Sequence, residues 1–155
     1  MGQQQLILLV LATVIVGVAI VIGIRAFTEN SIRANSDAMV QDMVRIASDA
    51  QAWKQKPAPF GGQIDVTDGD KEDPLDFGGI TWDKLGYPLV GTATNYENLN
   101  GLYNIVGTAT ELTITGINTT KNNMVEITVT GITDSDIANT DLEVGTSTCT
   151  SFPCS

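Results

Sequence analysis

The sequence predicts an α+β protein in which one long N-terminal α-helix packs on a small antiparallel β-sheet. Residues 1–56 contain no proline and pass from an apolar run to an amphipathic segment, which is typical of one continuous helix. Residues 57–155 contain short segments in which apolar and polar residues alternate between turn-forming residues, which is typical of strands. We therefore expect a hydrophobic part of the helix over 1–27, its amphipathic part over 28–56 and a β-rich globular head over 57–155.

The opening segment is long and apolar enough to cross a membrane. The run extends from Leu6 to Ile24, and the first ionisable side chain follows at Arg25. As a helix the run would be about 28 Å long, close to the thickness of the hydrocarbon core of a bilayer. It lacks the cationic start, the shorter apolar core and the small-residue cleavage site of a secretory signal peptide. On hydropathy alone, an ordinary single-pass anchor is the alternative.

Segment 28–53 is polar but keeps a helical period. Its apolar residues form a narrow stripe that repeats every seven residues, with further members between: Ile32, Met39, Met43, Ile46, Ala50 and Trp53. Ser36 occupies one position of this stripe, and Pro57 ends the helical pattern. We expect a helix over about 3–55, on the order of 80 Å long. Its stripe needs an apolar partner surface, which the rest of the chain must supply.

Strand patterns replace the helical pattern in the second half of the chain. Segments 111–117 and 125–132 alternate apolar residues with threonine, and the turn-rich NTTKNN between them predicts a hairpin. Segment 101–107 predicts a third strand, and segment 142–148 predicts a fourth. Such a sheet has one apolar face, which we expect to cover the stripe of the helix.

The connection between helix and sheet is long, and the head is acidic. We expect Trp82 and Leu85, in the segment FGGITWDKLGYP, to anchor this connection to the core. Residues 60–155 carry a net charge of −11 and residues 1–59 carry +1, which gives −10 for the chain. An acidic head repels phosphate backbones, so we expect no nucleic acid to bind through the subunit surface. The charge mainly keeps the surface soluble.

The side chains argue against catalysis. The chain has no histidine, so neither a Ser-His-Asp nor a Cys-His arrangement can be assembled, and two cysteines alone do not make a structural zinc site. No phosphate-binding glycine loop is present. The many carboxylates lie in segments that we expect to be solvated, where nothing raises a pKa selectively. We therefore predict no enzyme, no catalytic residue and no cofactor.

One acidic run is a candidate for calcium. Asp65, Asp68 and Asp70 offer hard oxygen ligands of the type that Ca²⁺ uses, and Gly69 allows a tight bend between them. Their spacing does not match that of an EF-hand loop, so the preferred interpretation is a solvated loop without a metal ion.

Two further features concern covalent modification. Cys149 and Cys154 have a spacing that permits a small closed loop, and a disulfide between them would hold the C-terminal end in place. Cysteines used in this way indicate an oxidising, extracytoplasmic compartment, with two free thiols as the alternative. Asn118 begins the motif NTT, an acceptor for N-glycosylation in the predicted hairpin turn. An unmodified asparagine is the alternative there.

An apolar N-terminal segment that continues into an amphipathic helix, followed by a sheet and a C-terminal disulfide, resembles the type IV pilin superfamily. The resemblance covers the first 55 residues in pattern, with MGQQQLILLVLATVIVG as its specific motif, and the remainder only in the order of elements. It implies the major subunit of an extracellular, pilus-like helical filament for adhesion or motility, a homo-oligomer with 1–27 as its core. Before assembly the subunit would cross the cytoplasmic or inner membrane once. Its other partners would be a prepilin peptidase and the pilus assembly machinery.

The resemblance also assigns roles to the first residues. In the family a peptidase removes a basic leader, and the new N-terminal residue is commonly N-methylated. If the quoted chain is the processed form, Met1 is that residue, whereas a cut after Gly2 would make it Gln3. Gln5 stands where bacterial members usually carry a glutamate that pairs with the N-terminal ammonium of a neighbouring subunit. A glutamine keeps the hydrogen-bond acceptor without the charge, which lowers both the attraction and the cost of burial.

Two alternatives share the same features. A pseudopilin of a secretion system would have the same N-terminal design but form only a short filament, and a single-pass membrane-anchored binding module would not polymerise. Many bacterial pilins carry a proline in the hydrophobic helix. Because this chain has none there, we expect an unbroken or only mildly loosened helix.

Overall fold

The apolar run and the amphipathic segment form one uninterrupted helix, α1, over Gly2–Lys54. The computed structural model describes residues 2–57, 60, 77–89 and 94–152. The helix ends one residue before the expected boundary at Gln55, with the cationic Lys54 in its last turn, where it complements the helix dipole. Because α1 packs on an antiparallel sheet, the predicted fold class is confirmed.

The sheet is a meander of five antiparallel strands, each paired with the next along the chain. The strands are β1 Tyr96–Glu97, β2 Leu102–Gly107, β3 Leu112–Asn118, β4 Asn123–Val129 and β5 Ile137–Glu143. The predicted hairpin is confirmed, since β3 and β4 pair from Leu112↔Val129 to Asn118↔Asn123. The strand predicted over 101–107 is also confirmed, as β2.

The position predicted for the fourth strand is wrong. It was expected over 142–148, but β5 ends at Glu143. Gly145 has a left-handed φ of 71°, which turns the chain out of the sheet. β5 instead begins directly after a short 3₁₀ turn over Asp134–Asp136, where the alternation of apolar residues is weak.

The core lies between the inner face of the sheet and the stripe of α1. The helix buries the predicted apolar residues except Ile32, which is half-buried, and Ser36 is buried as well. The helical and sheet members of the core are Met39, Met43, Ile46, Ala47, Ala50, Trp53, Tyr103, Leu112, Ile114, Val125, Ile127 and Val129. Each large apolar side chain buried in this way contributes about 1.5–3 kcal/mol relative to exposure.

Gly116 allows the helix to approach the sheet closely. A Cβ atom at this position would lie 3.0 Å from the Sδ atom of Met43 and 3.0 Å from Cε1 of Tyr103. This spacing is tighter than ordinary van der Waals contact, so a larger residue in the middle of β3 would push the helix away from the sheet.

Trp82 and Leu85 anchor the connection between helix and sheet, as expected. They lie in a short helix, α2 (Trp82–Leu85), which the side chain of Thr81 caps at its start and the left-handed Gly86 ends. Trp82 is buried and Leu85 packs against the core. The Trp82 ring lies 5.7 Å from that of Tyr87 and 5.5 Å from that of Tyr96, so the connection is held by aromatic contacts.

Asn123, the first residue of β4, joins the sheet to the helix. Its side chain is buried, and its Nδ2 group donates to the carbonyl oxygen of Ile32 at 2.9 Å and to Oδ1 of Asn35 at 3.0 Å. Its Oδ1 atom accepts a hydrogen bond from the backbone N–H of Gly145 at 2.8 Å. Helix, sheet and the turn after β5 are therefore fixed to one another by a single side chain.

Candidate functional site: the uncovered half of the helix

The first half of α1 is not covered by any other part of the described chain. Every residue from 2 to 30 is exposed, a length of about 43 Å at the rise of an α-helix. Its large apolar side chains, from Leu6 to Ile24, are between 50% and 66% exposed, and Phe27 is 77% exposed. A soluble monomer rarely exposes an apolar surface of this size, and such surfaces are typical of segments that contact lipid or another protein.

This half of the helix has the length and composition of a membrane span. In the part of the chain that the structure describes, α1 is the one helix that is long and apolar enough to anchor in a membrane. Its apolar run contains no charged residue, and Arg25 follows directly after it.

Gly17 lies in the middle of the uncovered half. It forms a shallow groove of about 510 Å³ with neighbours one turn apart on the same face, among them Val14 and Val21. Nothing lies within 4 Å of the position that a Cβ atom would take at Gly17. Small residues of this kind let the backbones of two apolar helices approach closely.

The first turn of α1 contains no acidic side chain. Gln5, the candidate for subunit registration, is exposed there, and its amide offers a neutral acceptor and a neutral donor but no charge. The positive end of the helix dipole is therefore not compensated by a charge from the described residues of this turn. Met1, the candidate N-terminus, lies outside the described residues.

One acid with a lowered pKa lies away from the uncovered half, at the contact between helix and sheet. The Oδ2 atom of Asp42 accepts hydrogen bonds from Nδ2 of Asn98 at 2.9 Å, from Nδ2 of Asn100 at 2.6 Å and from the hydroxyl of Tyr103 at 2.9 Å. Burial by itself would raise the pKa of Asp42. The bonds from Asn100, Asn98 and Tyr103, with the charge of Arg45, hold the pKa below its usual value.

The pKa values of two tyrosines are shifted in the opposite direction, upward. Burial raises the pKa of Tyr103, and its hydrogen bond to Asp42 raises it further. Burial likewise raises the pKa of Tyr87, whose hydroxyl donates to Asp49 at 2.6 Å. Both phenols therefore stay protonated donors over the physiological range, and each links the helix to the head.

The other sequence candidates fall in different parts of the molecule. Asp65, Asp68 and Asp70 lie outside the described residues, and within those residues no group of three or more acids or cysteines is arranged to hold a metal ion. Cys149 is disulfide-bonded, and the partner predicted for it, Cys154, lies outside the described residues.

Asn118 has a structural role that its sequence motif does not indicate. Its Oδ1 atom accepts the backbone N–H groups of Thr120 and Lys121, each at 3.0 Å, which closes the β3–β4 turn. Its Nδ2 group donates to the carbonyl oxygen of Asn100 at 2.6 Å. The side chain is half-buried at this position. An N-linked sugar would replace one hydrogen of Nδ2 and leave one for the bond to Asn100.

Sequence reasoning missed the polar side chains that fasten the helix to the head. Asp42 and Asn100, for example, are 58 residues apart in the chain. A local signal exists only for the segment NLNG over 98–101, a composition typical of a turn. It does not show which helical residue the turn meets.

No protein-family model matches the chain, and no curated protein or solved structure matches it significantly. The function must therefore be inferred from the geometry of the helix and the head.

Proposed function

We propose that this chain is the major structural subunit of an extracellular helical filament of the type IV pilus kind. The observation that carries the proposal is the uncovered apolar half of α1, which continues without a break into the spine of a folded head. An anchor has to cross lipid once, whereas a filament subunit must also transmit its position rigidly to the head. A single helix of 53 residues is long enough for both.

The energy of apolar burial supports polymerisation. The exposed residues from Leu6 to Ile24 are mostly large and apolar, and each contributes about 1.5–3 kcal/mol when it leaves water. Together they oppose release of a subunit into solution by on the order of tens of kcal/mol. In lipid the same surface is already satisfied, so a membrane is a suitable reservoir before assembly.

The mechanism follows from the two environments of the helix. Before assembly, 6–24 crosses the cytoplasmic or inner membrane with the acidic head outside. During assembly the apolar halves of neighbouring subunits exchange lipid for one another around the filament axis, and the heads form the outer layer. Each subunit offers the same surfaces in the same order, so contacts that do not close into a ring generate a helix.

The first turn of the helix distinguishes this subunit from bacterial relatives of the proposed kind. Gln5 brings no charge to an N-terminal ammonium group of a neighbour. We therefore expect registration between subunits to depend more on helix packing and on contacts between heads than on an ion pair in the apolar core.

Negative-stain microscopy of material sheared from cells that produce the full chain tests the proposal. We expect long filaments in the sheared fraction, with this chain identified in them by mass spectrometry. Short or absent filaments with the chain in a secretion complex would favour a pseudopilin. A chain found only in the membrane fraction, not polymerised, would favour an anchored binding module and would contradict the proposal.

A further inference from the structure

An apolar groove lies where the uncovered half of α1 enters the head. One wall is the face of α1 from Ile24 to Arg33, and the other is the Val144–Gly145 turn after β5. The groove has a volume of about 640 Å³ and is open to solvent. We call it the basal groove. Its walls are held in place by Asn123, which bonds to Ile32 and to Gly145.

The basal groove carries a net positive charge. Arg33 pairs with Glu29 at 2.6 Å on the exposed side of the helix. Arg25 lines the same groove, and it has no ion pair with any described residue. The groove therefore combines an apolar floor with one uncompensated guanidinium group, in a molecule whose head is otherwise strongly acidic.

The opposite end of the head presents a surface that is complementary to the groove. The turn over 131–136, which we call the apical turn, connects β4 to β5. Its Ile132 is exposed although it is large and apolar, and Asp134 is exposed with no hydrogen bond to its carboxylate among the described residues. Such an apolar and acidic tip matches a groove that is apolar and basic.

Hydrogen bonds hold the apical turn in shape within the subunit. The backbone N–H and the hydroxyl of Thr133 both donate to Oδ2 of Asp136, at 2.9 and 2.7 Å. The buried side chain of Gln51 donates from Nε2 to the carbonyl oxygens of Gly131 and Thr133, at 3.1 and 3.0 Å. A surface already held in shape loses little conformational entropy when it binds.

The two surfaces of one chain cannot meet. The apical turn lies beside Gln51 of α1, while the basal groove lies around residue 28 of the same helix. The helix between them spans roughly 35 Å. A contact between groove and turn must therefore join two copies, and because it uses two different surfaces it propagates along an open chain instead of closing a dimer.

From these observations we propose that the basal groove of one subunit binds the apical turn of a second copy of this chain. Ile132 packs in the groove against Ile24 and Ile32, and the carboxylate of Asp134 pairs with the guanidinium of Arg25. This inference rests on the proposed filament function and names a head-to-tail contact within that filament. It gives the filament a registration contact at the end of the apolar core, at the level where the helix enters the head.

Zero-length cross-linking tests the contact directly. A carbodiimide joins an amine to a carboxylate only where the two groups touch, so we would treat filaments of the variant Arg25→Lys, which keeps the positive charge. We expect mass spectrometry to find a peptide containing residue 25 joined to a peptide containing Asp134, and the joined peptide to be absent from Arg25→Lys combined with Asp134→Asn. Within one chain the separation excludes this product. Filaments that yield no such product would overturn the inference.

Charge reversal gives an independent measurement on the full chain in cells. Asp134→Arg and Arg25→Asp should each lower the yield of sheared filaments roughly tenfold, because like charges then face each other, and the double variant should recover most of the yield. Asp141→Arg is the matched control, since this exposed acid lies in β5, away from the apical turn. An equal loss in this control, or no recovery in the double variant, would contradict the pairing.

The outcomes separate this inference from the proposed function. Absence of wild-type filaments would remove both. Wild-type filaments whose yield is unaffected by either reversal would leave the filament proposal intact and overturn the contact. A reduced membrane-bound fraction for Arg25→Asp, with normal assembly of Asp134→Arg, would assign the groove to a lipid headgroup instead and also overturn it.

Discussion

At the scale of single residues, Asp42 shows how a charged side chain becomes part of a core contact. The carboxylate is half-buried and accepts three side-chain hydrogen bonds from the head, two of them from the turn that holds Asn98 and Asn100. Hydrogen bonds to a charged group are stronger than those between neutral groups. Asp42 therefore sets the position of α1 along the sheet in a way that the apolar stripe alone cannot.

We expect Asp42→Asn to lower the free energy of unfolding by about 1–2 kcal/mol at neutral pH, because an amide oxygen accepts these bonds more weakly. Asp37→Asn is the matched control, since Asp37 is exposed on the same helix. Denaturant titration of the full chain in detergent, followed by the fluorescence of Trp53 and Trp82, measures the difference. Equal stability of the two variants would show that the three bonds contribute nothing net.

The lowered pKa of Asp42 predicts that the free energy of unfolding decreases at acid pH. The pKa of Asp42 is lowered in the folded state, so the unfolded chain binds this proton more tightly. Its contribution is complete above the ordinary aspartate value of 3.8 and is lost as the pH falls through the lower folded-state pKa. Asp42→Asn should therefore reduce the loss of stability below about pH 4. If this variant loses as much stability at acid pH as the wild type, the loss comes from other acids.

At the scale of elements, the two halves of α1 have different surroundings. Its second half buries a stripe on β3 and β4, while every described residue of its first half stays exposed. The stripe is wider than its sequence pattern, because Ala47, Gln51 and Lys54 are buried beside it. The sheet covers more than one row of the helix, and polar side chains at its margin find partners in the head.

Two neighbouring helical positions test this division. Met43 is fully buried against the sheet, and Val44, the next residue, is 41% exposed. We expect Met43→Ala to lower the free energy of unfolding by about 2–5 kcal/mol, since it leaves a cavity between helix and sheet. Val44→Ala should change it by no more than about 0.5 kcal/mol. Thermal unfolding of both variants measures the contrast, and similar losses would show that the helix is rotated from the described orientation.

At the scale of the whole molecule, the surface proposed for assembly is separate from the surfaces that stabilise the head. The core that holds the head together begins at Ser36, and the uncovered half of α1 contributes no contact to it. Under the proposed function, we expect the head to fold while the apolar half stays in lipid. The same apolar half would then contact other copies without refolding of the head.

Gly17 provides a test of this separation. We expect Gly17→Leu to leave head stability and membrane insertion unchanged, since nothing lies within 4 Å of its Cβ position in the subunit. In the proposed filament the added side chain would overpack neighbouring helices by about 1–3 kcal/mol per contact and lower filament yield roughly tenfold. Val16→Leu, which changes volume little at an already bulky position, should assemble normally. Equal yields of both variants would show that Gly17 lies at no helix contact.

Much of the local structure could be predicted because local physics determines it. The apolar run over 6–24, the stripe from Met39 to Trp53 and the β3–β4 hairpin all have a period that one type of backbone imposes on its side chains. β1 could not be predicted, since its two residues are too short to have a period. β5 was misplaced because a left-handed glycine, and not the alternation of side chains, ends it.

The sequence by itself determined that an apolar helix precedes an acidic, β-rich head. Hydropathy and the spacing of apolar residues are properties of neighbouring residues, so they can be read from the sequence. Only the tertiary structure decided which side chains fasten the two together and which surfaces remain uncovered. The bonds from Asn98, Asn100 and Asn123 to α1 join residues between 56 and 91 positions apart. The basal groove and the apical turn likewise lie at opposite ends of the head, because β5 carries the chain from one to the other. Contacts at such separations depend on the course of the whole chain, which no local pattern specifies.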